Sequence, residues 1–237
     1  MLALKPIAVI PVYNEKPQIG SLLDRFPKER CDLVVVDDAS TDGTSEEIRR
    51  RRFPVLRHER RSGVGKCLQD GILFAREQAE GYDTVVILAG NGKDDPAEIP
   101  KLLQAIEEGA AYVQGSRFLA GGAWNNLPWK RWAAIKLFTA LWSLCLGRRL
   151  SDVTNGFRAY RMSFLERPEV KWRQPWLETY ELEYYLHYRA LRSKIPFREI
   201  PVTKNYPTKK NYSKIRPGRD WLPIVKPLFL LLLGLRE

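Results

Sequence analysis

The first half of the chain alternates short apolar runs with segments of helical periodicity. Apolar residues form continuous runs at 7–12, 33–36, 84–88 and 111–113. Such runs are typical of strands that helices cover on both faces. Helical segments lie between them, at 46–52, 65–79 and 96–108. This order predicts an α/β fold of βαβ units, with a mostly parallel central sheet and helices on both faces.

Some of these helices carry a signal at their first turn. Thr44 and Glu47 have the spacing of a capping box, which predicts that their side chains bind backbone N–H groups at the helix start. Pro96 falls in the first turn of the helix at 96–108, where its missing N–H costs little.

After about residue 121 the chain becomes rich in tryptophan and basic residues. The apolar run 132–146 would be only ~22 Å long as a helix, shorter than the ~30 Å apolar core of a bilayer. Tryptophans and cations around it are typical of a helix lying at a membrane interface, although an ordinary buried helix has the same apolar pattern. The segment 221–235 is similar but is interrupted by Pro223, Lys226 and Pro227.

The second half otherwise predicts a helix at 178–191, a strand at 197–202 and a loop at 203–218. We therefore expect one domain over 1–220, which includes an interfacial helix region at 124–147. A membrane-associating segment follows at 221–237, so the chain would have two weak anchors rather than a membrane span.

Charge narrows the choice of partners. Lys and Arg number 39 against 28 Asp and Glu, which gives a net charge of +11. Such an excess attracts polyanions, including nucleic acid, anionic lipid headgroups and phosphorylated ligands. Nucleic acid is the poorest fit, because the aromatic residues cluster with apolar ones rather than forming a stacking platform.

The cysteines and the start of the chain bear on its location. Cys31, Cys67 and Cys145 have no paired spacing, which predicts a reducing compartment and gives no metal signature. The first residues pass directly into a strand pattern and lack the order of a signal peptide. We expect a peripheral protein at the cytoplasmic face of the cell membrane.

Polar residues follow the first two predicted strands at the points where those strands end. Pro11-Val12-Tyr13-Asn14-Glu15 closes the first, and the second leads into Asp37-Asp38-Ala39-Ser40-Thr41-Asp42-Gly43-Thr44. In open α/β sheets, ligands bind at the carboxyl ends of strands. Adjacent carboxylates there can hold a base or ribose hydroxyls, whereas the alternative is that the second segment only caps a helix.

Together these segments resemble family 2 glycosyltransferases, which read P-x-Y-N-E and then D-D-x-S-x-D-G-T. Further blocks agree in order and spacing: Gly63-Val64-Gly65-Lys66, Asp95-Pro96, Gly115-Ser116-Arg117, Ser151-Asp152 and Asn155-Gly156-Phe157-Arg158. The resemblance covers nearly the whole chain, points to the dolichol-phosphate-mannose-synthase type, and implies the GT-A fold of nucleotide-diphospho-sugar transferases. It also implies a set of residues that bind the nucleotide sugar: Pro11, Tyr13, Glu15, Asp37, Asp38, Lys66, Gly90, Asn91 and Lys214.

The glycine-rich segment before the helix at 65–79 superficially suggests an ATP phosphate loop. That motif needs glycine at position 60 and Ser or Thr at position 67, where Arg60 and Cys67 stand. ATP binding is therefore rejected, and a turn whose backbone faces a phosphate stays open.

The chain departs from the family after Leu88. Members usually carry D-x-D there to hold a divalent cation on the donor diphosphate, and this chain has Ala89-Gly90-Asn91. Mg²⁺ and Mn²⁺ prefer carboxylate oxygens, so the site is weakened. One alternative is that Lys93 supplies the positive charge and no metal is needed. Another is that Asn91, Asp94 and Asp95 rebuild a metal site, and a third is a silent relative.

The resemblance places the acceptor on the other side of the site. Arg117 and Arg131 stand where the polyprenyl-phosphate branch uses arginines to grip a lipid phosphate, although Ile135 replaces a serine often found there. The segment around Lys214 resembles a loop that closes over the phosphates. Glu181 matches a carboxylate near the catalytic end, with a salt bridge as the alternative, and Glu183 would be its helical neighbour. The two histidines, His58 and His187, receive no role.

The resemblance implies transfer of a sugar from a nucleotide-diphosphate donor to a polyprenyl phosphate, by single displacement with inversion. An anionic acceptor needs no general base, so Lys93, Arg117 and Arg131 would act by positioning and charge. Asp152 would then be a structural partner of an arginine. If the acceptor is a sugar hydroxyl instead, Asp152 is the candidate base. A transmembrane partner protein is a further expectation.

Overall fold

The computed structural model describes residues 4–78, 81–206 and 221–236. The strands are β1 (Pro6–Val12), β2 (Asp32–Asp37), β3 (Val55–Arg57), β4 (Thr84–Ile87), β5 (Tyr112–Ser116), β6 (Ala123–Asn125), β7 (Arg158–Arg161), β8 (Phe197–Pro201) and β9 (Thr203–Asn205). The helices are α1 (Lys16–Asp24), α2 (Thr44–Arg50), α3 (Val64–Glu77), α4 (Ile99–Glu107), α5 (Trp129–Leu146), α6 (Met162–Leu165), α7 (Glu181–Arg192) and α8 (Trp221–Leu232). Short 3-10 turns lie at Pro96–Glu98 and Pro175–Leu177.

The central sheet is mostly parallel, as the sequence predicts. It has seven strands in the order β3-β2-β1-β4-β7-β5-β8, and β6 pairs with β9 in a separate two-stranded sheet. Within the large sheet, β7 alone is antiparallel to its neighbours β4 and β5. The other strands therefore end at one edge, which we call the carboxyl edge and which Val12, Asp37, Ile87 and Ser116 mark. Because β7 runs the opposite way, it begins at that edge.

Alternate residues of the strands enter two separate hydrophobic clusters. Ile7 and Val9 of β1 pack in one cluster with α3 and α7, whereas Ala8 and Ile10 pack in the other with α1 and α4. Successive side chains of a strand point to opposite faces, so both faces of this sheet are covered. This burial of both faces explains why the strand sequences are continuous apolar runs.

The predicted capping box at Thr44 is wrong. Gly43 is the N-cap residue of α2, with φ of 87°, and no side chain caps the helix. The Thr44 hydroxyl instead accepts a hydrogen bond from the Glu15 backbone N–H at 3.0 Å and donates to Asp42. Glu47 pairs with Arg51 on the same helix. The Thr44 side chain is thus used to tie the loop after β1 to the start of α2.

Two other boundaries differ from the predictions. Pro96 opens a 3-10 turn that the Asp95 carboxylate caps, and α4 begins only at Ile99. The predicted loop at 203–218 begins with strand β9, which pairs with β6 because the loop before α5 lies beside it. Residues 207–220 lie outside the described residues.

The apolar helix α5 is buried on one side only. Ile135, Thr139 and Trp142 are buried, whereas Leu137 and Leu144 are 74% and 81% exposed. Helix α8 packs against α7, and the Tyr188 hydroxyl donates a hydrogen bond to the Leu231 carbonyl at 3.2 Å. Among the helices of the described residues, none has the length and apolarity to cross a membrane.

Candidate active site

Asp38 lies at the carboxyl edge, where β2 ends, and its carboxylate organises the loop after β3. One oxygen accepts from the Ser62 backbone N–H at 2.7 Å, and the other accepts from the Gly63 N–H at 3.0 Å. His58 Nδ1 lies 3.0 Å from the first oxygen. Asp38 is 4% exposed. It therefore shapes one wall of the predicted nucleotide pocket, and its contact with a base stays a prediction.

Asp37 lies beneath this wall and is anchored by protein groups. Its carboxylate accepts from the Ser40 N–H at 2.9 Å, from Arg57 Nη1 at 3.1 Å and from the Ser45 hydroxyl. The side chain is fully buried. The carboxylate is turned into the protein, where it fixes the turn that carries Asp38, so this position disfavours a nucleotide contact, which stays a prediction.

The loop after β1 is held against the same turn. The Asn14 backbone N–H donates to the Ser40 hydroxyl at 2.9 Å, and the Asn14 side-chain oxygen accepts from the Thr41 N–H at 2.8 Å. Asn14 has φ of 51°, a left-handed conformation that asparagine tolerates better than most residues. Tyr13 stacks under Arg61, whose Cζ lies 4.2 Å from the ring centroid. The predicted contact residues thus lie at the end of β1 (Pro11) and in the loop after it (Tyr13 and Glu15), next to the strand end that carries Asp38.

His58 is a part of the site that the sequence reasoning missed. Its Nε2 lies 3.0 Å from Asp70 Oδ2, and Lys66 Nζ binds the other oxygen of Asp70 at 2.5 Å. Together with the contact to Asp38, this chain of groups joins the end of β2 to α3. His58 directly follows β3, so the strand-end rule would have found it had this short strand been predicted.

The start of α3 is packed against protein, which disfavours the open expectation that the glycine-rich turn faces a phosphate. The Lys66 backbone N–H donates to the Glu178 carbonyl at 2.9 Å. A Cβ at Gly65 would lie 2.0 Å from the Leu177 carbonyl oxygen, and Gly63 has φ of 104°. The two glycines therefore allow the backbone at 177–179 to cover this helix end, and Lys66 can reach a nucleotide only through its side chain.

Asp38, His58 and Cys67 also offer ligand atoms within 4.8 Å of one another. Burial, together with the charges of Asp38 and Asp70, raises the pKa of the Cys67 thiol. The Asp38 oxygens already hold the loop, and His58 lies within hydrogen-bond distance of both Asp38 and Asp70. This group therefore fits a hydrogen-bonding role.

The loop after β4 lies at the same edge and carries the replaced D-x-D positions. Gly90 is packed so closely that a Cβ would lie 2.2 Å from Val12 Cγ1, and its N–H donates to the Pro11 carbonyl at 3.2 Å. The Asn91 side-chain oxygen accepts from the Lys93 N–H at 3.2 Å. Gly90 thus places this loop directly against the end of β1, and Asn91 stabilises the loop from within.

The three candidate metal ligands all have protein partners. Asp94 is fully buried, and both its oxygens bind Lys204 Nζ, at 2.7 and 2.8 Å. Asp95 caps the 3-10 turn and pairs with Arg25. The Asn91 oxygen is occupied as described. These residues do not fit a divalent cation, because an ammonium group holds the one buried carboxylate among them.

Lys93 lies between the two sides of the site and is 9% exposed. Burial, followed by the positive charges of Lys204 and Arg131, lowers its pKa to about 8, while Glu15 and Asp94 act in the opposite direction. The influence of both Glu15 and Arg131 means that the predicted nucleotide and acceptor residues share one electrostatic environment. A cation with a lowered pKa in such a place is a functional-site signal.

We expect nucleoside diphosphate affinity to fall as pH rises above about 8. Below that pH, Lys93 carries its proton and attracts the diphosphate. Above that pH, Lys93 is neutral in the free protein and must take up a proton when the diphosphate binds. The affinity therefore falls by up to about tenfold per pH unit. Calorimetry of UDP and GDP in buffers of different ionisation enthalpy measures this proton uptake. The Lys93→Arg variant stays charged and should lose the dependence; the same pH profile in that variant would contradict the assignment to Lys93.

Arg117 and Asp152 form a buried pair beside this loop. Arg117 Nε and Nη2 bind the two Asp152 oxygens at 2.6 and 2.7 Å, and the side chains are 2% and 0% exposed. Arg117 also donates to the hydroxyls of Thr154 and Tyr206. Burial lowers the pKa of Arg117, but Asp152 outweighs it and the net shift is upward. The structure thus gives Asp152 the arginine-partner position that we predicted.

Glu199 of β8 holds the turn that carries Asp152, and the sequence reasoning did not single it out. Its carboxylate accepts from the Ser151 N–H at 2.9 Å, the Ser151 hydroxyl at 2.8 Å and the Asp152 N–H at 3.2 Å. Burial raises the pKa of Glu199, although these donors act against the shift. The Arg117–Asp152 pair is therefore fixed from the neighbouring strand.

The remaining predicted residues are scattered. Glu181 begins α7 and accepts from the Thr179 hydroxyl. Glu183 accepts from Arg158 through its backbone carbonyl. His187 is buried, with Nδ1 at 2.6 Å from the Tyr112 hydroxyl, and burial lowers its pKa well below the usual range. Lys214 lies outside the described residues.

A mostly parallel sheet with Asp38, Lys93 and Arg117 around its carboxyl edge is the arrangement expected of a GT-A nucleotide-sugar transferase. The sequence model named "Glycosyl transferase family 2" matches residues 7–167. The chain belongs to this family and is a glycosyltransferase.

Its relatives and structural neighbours agree. Undecaprenyl-phosphate mannosyltransferase of Micrococcus luteus is 32% identical over 213 residues, which are 84% of this chain and 83% of the relative. Polyprenol monophosphomannose synthase of Mycolicibacterium smegmatis is 28% identical over 207 residues, 84% and 77% of the two chains. Glucosyl-3-phosphoglycerate synthase of Mycobacterium tuberculosis, solved with Mn²⁺, uridine diphosphate and phosphoglyceric acid, has a TM-score of 0.70 at 18% identity. That match covers 99% of this chain and 80% of the solved one, and shows the GT-A fold.

Proposed function

We propose that this glycosyltransferase moves a sugar, with inversion, from a nucleotide-diphosphate sugar to a polyprenyl phosphate. The observation that best supports this proposal concerns Lys93. The charges of Glu15 on the donor side and Arg131 on the acceptor side both act on its ammonium group. The names of the two bacterial relatives, which specify polyprenol and undecaprenyl phosphate, support this acceptor class.

The reaction needs positioning and charge more than proton transfer. An oxygen of the acceptor phosphate attacks the anomeric carbon and forms the new C–O bond. The bond from that carbon to the donor phosphate breaks, and its electron pair leaves with the nucleoside diphosphate. Lys93 would stabilise the negative charge that develops on the leaving group. Asp152 is fully buried against Arg117, which disfavours its use as a base for a sugar hydroxyl acceptor.

The same site would work without a divalent cation. Support comes from the partners of Asn91, Asp94 and Asp95, and from the amino group of Lys204 on the buried carboxylate. Lys93 would supply the positive charge, as lysine does in many phosphate sites. A rebuilt Mg²⁺ or Mn²⁺ site is the alternative, and it would require Lys204 to leave Asp94.

The protein would act as a peripheral enzyme at the cytoplasmic face of the membrane. Trp129 is 73% exposed at the start of α5, and Leu137 and Leu144 are exposed further along it. An apolar helix face beside Lys130 and Arg131 suits the boundary between headgroups and acyl chains. Recruitment by a transmembrane partner protein stays a prediction.

A transfer assay tests the proposal and the metal question together. Radiolabelled GDP- and UDP-sugars are offered with vesicles that contain polyprenyl phosphate, in EDTA and in Mg²⁺. We expect labelled lipid in both conditions. Activity that EDTA abolishes would favour the metal site, and label in a sugar-hydroxyl acceptor but not in lipid would favour the other transferase. No transfer from any donor would indicate a catalytically silent relative.

A further inference from the structure

Tyr206 occupies an unusual place between the two arginines of the acceptor side. Its hydroxyl accepts a hydrogen bond from Arg117 Nη1, and Arg131 Cζ lies 5.4 Å from the centroid of its ring. The side chain is 2% exposed. One aromatic residue therefore contacts both arginines, one through its hydroxyl and the other through its face.

The backbone of Tyr206 is held just as firmly. Its N–H donates to the Asn125 carbonyl at 3.0 Å, and its carbonyl accepts from Asn126 Nδ2 at 3.1 Å. Both asparagines precede α5, the helix that carries Arg131 in its first turn. Tyr206 thus ties the end of β9 to the start of that helix.

The two arginines differ in what they can offer a ligand. Arg117 is buried, and its guanidinium donates to Asp152, Thr154 and Tyr206. Arg131 is only partly buried and lies over the Tyr206 ring. A phosphate that approaches from the carboxyl edge therefore meets Arg131 more readily than Arg117.

We propose that Tyr206 is a positioning residue for the acceptor phosphate, which it serves by holding Arg131 in place with support from Arg117. In this arrangement Arg117 fixes the Tyr206 ring through the hydrogen bond to its hydroxyl. A guanidinium over an aromatic face is attracted by the ring, and the fixed ring limits the orientations that Arg131 can adopt. The inference rests on the proposed function, because it assigns a role within the same acceptor site.

The test is a double-mutant cycle on Tyr206→Leu and Arg131→Ala, with KM for polyprenyl phosphate in vesicles as the readout. Tyr206→Leu should raise this KM by about tenfold, which lies between the values of exposed and desolvated cation–π contacts, and leave KM for the nucleotide sugar unchanged. Tyr206→Phe keeps the ring and should have a smaller effect. In the Arg131→Ala background, Tyr206→Leu should add little, because the two residues act as a unit.

The controls separate this role from simple stabilisation. Tyr82→Phe removes a tyrosine hydroxyl that binds Asp32 at the opposite edge of the sheet, and it should change neither KM. Additive effects in the cycle, or equal changes in both KM values, would overturn the positioning role while leaving the proposed function intact. If the unmodified chain transfers no sugar to polyprenyl phosphate, the proposed function fails and the inference fails with it.

Discussion

Replacing Lys93 with methionine is expected to lower kcat for sugar transfer by about 10²- to 10³-fold, the loss typical of removing one preorganised charge-stabilising group. The physical reason is the buried ammonium of Lys93, on which the charges of both Glu15 and Arg131 act and which would face the leaving diphosphate. Methionine fills a similar volume but carries no charge. Initial rates with radiolabelled donor, measured below pH 8 where Lys93 is protonated, provide the measurement.

Two further measurements show whether the lower rate comes from the lost charge. Burial disfavours the charge of Lys93, so the methionine variant should melt no lower than the parent chain. Lys93→Arg keeps the charge and should retain much more activity than Lys93→Met. If the methionine variant works within a few-fold of the parent, the leaving group is stabilised elsewhere and the cation-replacement hypothesis is wrong.

The Asp152→Asn variant is expected to lose about 3–5 kcal/mol of folding free energy, because it leaves Arg117 as an uncompensated buried charge. Arg117 is 2% exposed, so water cannot replace the lost partner. Denaturant unfolding, followed by two spectroscopic probes, measures the change. Sugar transfer per folded molecule should remain detectable, since an anionic acceptor needs no base at position 152.

An exposed ion pair supplies the matched control. Glu108 and Arg198 pair at the surface, where their side chains are 48% and 47% exposed, and Glu108→Gln should barely change stability. Complete loss of transfer in folded Asp152→Asn, with donor and lipid still bound, would instead identify Asp152 as a base and favour a sugar hydroxyl acceptor.

The sheet and half of the site could be predicted from local sequence patterns. Continuous apolar runs fix which segments are buried strands, and parallel strands bring their ends to a common edge, so Tyr13, Asp38 and Asn91 had to lie near one another. Lys93 follows the same rule. The helical pattern also located α5, although its first turn extends back to Trp129.

The acceptor side depends on contacts between distant parts of the chain, which no local pattern contains. Lys204 and Tyr206 lie in a segment whose polar composition predicts a loop, yet three of its residues form β9. That strand forms because β6 lies beside it, and β6 is itself exposed and not apolar. The prediction of a capping box at Thr44 is wrong for a related reason, because the Thr44 hydroxyl accepts a hydrogen bond from the backbone N–H of the distant Glu15.

The single reversed strand of the sheet has a consequence for how such enzymes diversify. Strands β1, β2 and β4, on one side of β7, supply the loops around Glu15, Asp38 and Lys93. Strands β5 and β8, on the other side, supply Arg117 and Glu199. β7 thus separates these two groups of strands in the sheet. Mutations in the loops after β1 and β2 can therefore alter one side of the site while the hydrogen bonds of Arg117 and Glu199 stay intact, whereas the loop after β4 is tied to the other side through Lys204 and Asn205.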